Sequence, residues 1–229
     1  MIELLSYSLQ IILSYDNNYL QIVTLSLFVS LSAILIASVL SILISTIISI
    51  NEFRLKSILM VIINSLLALP PVVVGLILYI LFSANGFFGI YNLLYTVNIM
   101  IIAQVILVMP LLISLCKESL DSVKIKLNEY LFIVNASYKQ KTLTLIYECK
   151  FSIILNIIVA LGRALSEVGA IIIVGGNISY LTRTMTTGIV VETSKGDLAM
   201  ALSLGITLLL ISLMINFIIY TLTMYLKND

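Results

Sequence analysis

Few residues in this chain are able to do chemistry, and those few cluster. Arg163 and Glu167 stand four apart in the run Ala160-Leu-Gly-Arg-Ala-Leu-Ser-Glu-Val-Gly-Ala170. That spacing puts both on one face of a helix. In lipid each would cost about 2.5–3.5 kcal/mol unless it faced protein, water or the other. They fit a self-neutralising structural pair, or an anion route with Arg163 beside it and Glu167 setting its position. Ser166, Gly162 and Gly169 suit close helix packing under either reading. Further on come Gly175, Gly176 and Asn177, then Thr182, Arg183, Thr184, Thr186 and Thr187. Hydroxyls around one guanidinium suit transient contact with an oxyanion. Ordinary capping and turn chemistry accounts for the same threonines.

Other chemistry is excluded. There is no histidine, and only Cys116 and Cys149 could form a thiolate. A disulfide scaffold, a histidine-ligated metal site and histidine acid/base catalysis are therefore ruled out. No Gly-x-x-x-x-Gly-Lys-Ser/Thr loop occurs, so the chain has no cradle for ATP phosphates. Neither a resident cofactor nor nucleic acid is expected. An enzyme would need convergent titratable groups, and the few acids here do not supply them.

The elements that carry these residues belong in a bilayer. Hydrophobic residues make up 61% of the 229 and charged ones 10%, where a soluble domain carries about 25% charged. Mean hydropathy is +1.20. An uncharged run from Asn17 to Asn51 predicts a span over about 20–48. The next run, Ser57 to Cys116, holds 60 residues without a charge. As one helix it would reach about 90 Å, three times the hydrocarbon core. It must fold back, and Asn85-Gly86, Gly89 and Asn92 mark the turn. Spans follow over about 57–83 and 93–115, with later ones over about 151–174 and 198–226. Pro70-Pro71 and Pro110 predict kinks, whether to shape a pathway or to improve packing. The N-terminal stretch to Ser14 lacks the positive region of a cleaved signal. It reads as a short surface helix or a frayed end, stopped at Asp16. The fold class is thus all-α: a polytopic bundle of five transmembrane helices, residues 1–229 forming one domain.

Lys and Arg orient it. Segments 52–56, 117–150 and 227–229 carry nine of them, the opposite segments only Arg183 and Lys195. The positive-inside rule then puts the N-terminus outside and the C-terminus in the cytoplasm of an inner-membrane protein. Residues 117–150 are far longer than a hairpin needs. Leu127, Leu131, Val134 and Tyr138 form one stripe, and Asn135 tolerates the left-handed turn that ends a helix. Two short helices with a corner at Asn135-Ala136 are expected, offering a knob to a soluble partner.

Glu129, with Asn135 six residues on and then Ala136, resembles the coupling motif of ABC-importer permeases, Glu-Ala-Ala-x-x-x-Gly-Ala. Here Tyr130 and Leu131 replace the two alanines, Asn135 replaces the glycine, and the closing proline is absent. The stretch 160–170, with Val174-Gly-Gly-Asn177, Thr182-Arg-Thr-Met-Thr-Thr187 and Glu192-Thr-Ser-Lys-Gly-Asp-Leu-Ala199, is similar to the permeases of tungstate ABC importers. Molybdate permeases share the Arg-Ala-Leu-x-Glu-x-Gly core. The likeness runs over about 20–226, its specific part over 128–200. It implies a type I permease fold working as a homodimer, with Glu129, Tyr130, Asn135 and Ala136 engaging an ATPase. Two copies of that separate ATPase, carrying ATP and magnesium, and an extracytoplasmic oxyanion-binding protein complete the assembly. A two-fold dimer also gives five helices the wall they lack alone. Permeation of molybdate or sulfate, or an ATP-independent channel or secondary transporter, remain the alternatives; a channel would leave the long loop without a task.

Overall fold

The computed structural model describes residues 2–14 and 16–228, and all regular structure among them is helical. In chain order the helices are α1 (Ile2–Leu13), α2 (Asn17–Ile50), α3 (Lys56–Leu67), α4 (Pro71–Phe82), α5 (Val97–Ile133), α6 (Tyr138–Glu148), α7 (Lys150–Leu165), α8 (Gly169–Gly175), α9 (Met185–Lys195) and α10 (Leu198–Asn228). A 3₁₀ turn, Gly89–Tyr91, precedes α5. The expected N-terminal helix is present as α1; it packs on α10, where Ser8 Oγ donates to the Ala199 carbonyl at 3.1 Å.

Helices α2, α5 and α10 are each long and apolar enough to cross a membrane. Two bent pairs, α3 with α4 and α6 with α7, raise the number to five if each pair is one span. At the centre lies the α2–α5 contact, the most extensive in the fold. Its basis is a stripe of small side chains on α2: Ser30, Ala33, Ala37, Ser41, Ser45 and Ser49, all buried. Residues at this spacing line one helix face and let two backbones approach closely. Val29, Ile34, Val108 and Leu112 fill the space around it, and α7 lies against both helices.

Three expectations change. Pro70-Pro71 does not kink one helix; it separates α3 from α4 with a bend of 96°. The residue before a proline is pushed out of the helical region, and proline itself suits the first helical position. Pro70 is accordingly extended (ψ 126°) and Pro71 begins α4. The pair is a stop and a start. Pro110, by contrast, lies inside an uninterrupted α5.

Residues 151–174 are likewise not one helix: α7 ends at Leu165 and α8 starts at Gly169. The loop 117–150 does not hold two short helices either. Its first half is the continuation of α5, whose 37 residues make a rod of about 55 Å, nearly twice the hydrocarbon thickness.

Helix α4 packs on α8 through Gly75. A Cβ there would lie 2.9 Å from Ala170 Cα and 3.1 Å from its carbonyl oxygen. Backbone cannot yield as a side-chain tip can. Gly75→Ala is therefore expected to destabilise the protein by about 1–3 kcal/mol, read as a lower thermal unfolding midpoint in detergent.

Candidate functional site

Two regions hold the chemistry-bearing residues, and along α5 they are separated by the stretch from Gln104 to Glu129, about 38 Å at 1.5 Å per residue. The first is the α7–α8 break. Helix α7 is closed by Ser166, whose Oγ donates to the Arg163 carbonyl at 2.9 Å and whose N–H donates to the Ala164 carbonyl. That same carbonyl accepts from Gln104 Nε2 of α5 at 3.0 Å. Such outside partners are what an interrupted membrane helix requires.

Glu167 sits in the break, not on a shared helix face with Arg163 as the spacing predicts, yet the two do pair. Arg163 Nη1 donates to Glu167 Oε2 at 3.0 Å. Their surroundings differ sharply: the Glu167 side chain is 5% exposed and that of Arg163 46%. Glu167 Oε1 also accepts from the Ala170 N–H at 3.2 Å, at the start of α8, while its backbone carbonyl accepts from Thr186 Oγ1 at 2.8 Å. The buried carboxylate thereby ties the end of α7 to the start of α8, and the Glu167 main-chain carbonyl ties both to the start of α9. Gly169 lets the other broken helix in: a Cβ there would be 2.8 Å from Val72 Cγ2 and 3.3 Å from the Val72 nitrogen of α4.

The remaining candidates of this region form a buried turn. Gly176 (φ 68°) and Asn177 (φ 49°) take the left-handed conformation that ends α8. Gly175 is packed on Met100, and its carbonyl accepts from Thr182 Oγ1 at 2.6 Å. Thr184 and Thr187 make the capping box of α9. The threonines are thus inward and capping, and residues 182–188 of the segment expected on the outer side of the membrane are buried. Arg183 is buried too, its Nη1 donating to Glu192 Oε1 at 2.8 Å, while Lys195 reaches the same oxygen at 3.0 Å. Glu192, as the partner of Arg183, is absent from the sequence-based set, as is Gln104. A glutamine in an otherwise apolar membrane run was the signal for the latter.

The second region is the corner after α5. Asn135 (φ 50°) donates its N–H to the Phe132 carbonyl, and the Ala136 N–H reaches the Leu131 carbonyl at 3.1 Å. This is the Schellman pattern, with asparagine in glycine's usual place. Ser137 then starts α6 in a capping box with Gln140. Around this rigid tip Glu129 and Tyr130 are exposed, with Phe132 and Ile133 77% and 78% exposed. Behind the tip, Lys124 Nζ donates to the Ser49 carbonyl at 2.7 Å and to Glu52 at 3.1 Å. Hydrogen bonds from Lys56 first and Lys124 second hold the Glu52 carboxyl below the usual range. The projecting half of α5 is so tied to the α2–α3 connection.

No family model matches the sequence. Individual relatives do. The tungstate uptake system permease TupB of Peptoclostridium acidaminophilum is 39% identical over 94% of both chains. The chain belongs to the tungstate uptake permease family of ABC transporters. The Campylobacter jejuni TupB is 40% identical over 75% of this chain and 72% of its own. A probable anion ABC transporter permease of Haloferax volcanii is 35% identical over 85% and 86%. Permeases of molybdenum and sulfate transport systems are more distant. This permease is accordingly a multi-pass membrane protein of an oxyanion importer family.

Proposed function

We propose that the permease carries a tungstate-class oxyanion inward as a homodimer, driven by two copies of an ATPase subunit that alone binds ATP and magnesium. The reading adopts five spans, with α3–α4 counted as a broken one and α7 continued into the membrane by α8 rather than paired with α6, which is left at the cytoplasmic corner. It also puts the N-terminus outside and the Glu129 end in the cytoplasm. An extracytoplasmic binding protein would deliver the anion to the outer face.

The observation that carries it is the kinship over 94% of both chains with a tungstate uptake permease. The mechanics support it. Glu129, Tyr130, Asn135 and Ala136 sit on a capped, rigid corner whose exposed apolar side chains suit burial in a partner's groove. Helix α5 runs unbroken from that corner to Gln104, which holds the end of α7. Displacing the corner would move α5 as a rod and shift the α7–α8 break with it, alternating access to the two faces.

Affinity purification of the tagged permease should bring down the ATPase and the binding protein. Reconstituted together, they are expected to take up tungstate only with ATP. Unaided anion flux through the permease alone, or a receptor that binds none of tungstate, molybdate and sulfate, would overturn the proposal.

A further inference from the structure

The Arg163–Glu167 pair divides into two unequal halves. Glu167 is turned inward, and its carboxylate and carbonyl bind N–H and hydroxyl groups of the chain itself. Arg163 gives Glu167 one hydrogen bond, and the rest of its guanidinium has no partner among the described residues. It projects from an exposed face of α7 that also carries Ser152, Val159 and Ser166. A half-exposed arginine within a spanning helix cannot be left to lipid and belongs against water or protein. The second broken helix points the same way. Residues 68–70, between α3 and α4, are exposed in the single chain, and irregular backbone at membrane depth survives only where it is covered by protein or lines a cavity.

We infer that Arg163 is a contact for the permeating oxyanion, and that the two copies in the dimer together present two guanidinium groups to one tetrahedral dianion. This rests on the permease reading above. Although the pair is neutral in sum, it is oriented: the negative end is buried in hydrogen bonds and the positive end faces outward, so an arriving anion meets cations first. A planar guanidinium matches an oxyanion edge with two parallel hydrogen bonds, which an ammonium cannot. Glu167 positions the arginine. Its bond to Nη1 also competes with the anion and keeps the site weak enough to release its cargo, as conduction demands.

The test uses the permease with its ATPase and binding protein in proteoliposomes, supplied with tungstate and ATP. Arg163→Gln, whose side-chain amide can still donate to Glu167, should reach the membrane in near wild-type amount and still co-purify the ATPase. Its tungstate uptake should fall about tenfold or more, since the substitution removes a charge-assisted contact from each of the two copies. Arg163→Lys, keeping charge without the planar fork, should fall between glutamine and wild type. Wild-type uptake by Arg163→Gln would overturn the assignment. So would disappearance of that variant from the membrane, which marks a structural role, or a lysine variant no better than glutamine. Should the wild-type assembly itself move no oxyanion, the permease reading fails instead.

Discussion

Glu129→Arg is expected to abolish most tungstate uptake while the permease still inserts and dimerises. The residue lies one turn before the end of α5, exposed and without a partner among the described residues. Nothing in the fold depends on it, so a charge reversal there leaves the bundle intact. In the proposed coupling role it faces the ATPase beside the exposed apolar Tyr130, Phe132 and Ile133. Truncating a central interface residue removes about 2–4 kcal/mol, roughly thirty- to a thousandfold in affinity, and reversed charge adds repulsion. Uptake in proteoliposomes should drop by that order while ATP hydrolysis by the partner persists uncoupled. Normal uptake by this variant would remove the coupling assignment.

The effect is large because of how the corner is built. A flexible loop would absorb the motion of a partner. Here the Schellman turn at Asn135 and the capping box at Ser137 leave no slack between α5 and α6. Lys124 and Glu52 bind the projecting part of α5 to the foot of α3 as well. In the proposed coupling role a push on the tip would reach both breaks, through α3 to Pro70 and through α5 and Gln104 to Ser166.

What could be read in advance follows from where each signal resides. The Asn135 corner and the stop at Gly175-Gly176 were legible because a left-handed turn demands residues that tolerate it. Ser137 and Gln140 were equally plain, yet a search for hydrophobic stripes passes over a capping box. So were the serines of α2, whose spacing marks the α5 contact once small residues are counted as packing surface. Pro70-Pro71 announced a disturbance but not its size, since a bend of 96° requires a neighbour, and α8 supplies it through Ala170. The break after Leu165 had only weak local signs, in Ser166 and Gly169. No proline lies near it, and its partners come from Gln104 and Thr186, far along the chain. The partnership of Arg183 with Glu192 also depends on the turn at 176–184, which no periodicity describes.

That non-local origin makes Glu167 the residue whose loss should be felt most by the fold. Glu167→Ala removes the acceptor of the Ala170 N–H and the partner of Arg163 from a position almost wholly enclosed. A buried donor left without an acceptor, together with a lost charge-assisted bond, amounts to about 3 kcal/mol, enough to deplete a marginally stable protein severalfold. Glu167→Gln retains an oxygen for Ala170 and loses only the charge, so it should recover part of the difference. Membrane abundance and the thermal unfolding midpoint in detergent read this directly. An alanine variant with wild-type abundance and midpoint would show that the Glu167 carboxylate does not hold α7 and α8 together. With the outcome expected here, variants at 167 lose the protein whereas those at 163 keep the protein and lose transport. Two residues in one salt bridge would then be separated by experiment into a brace and a contact, as their burial already separates them.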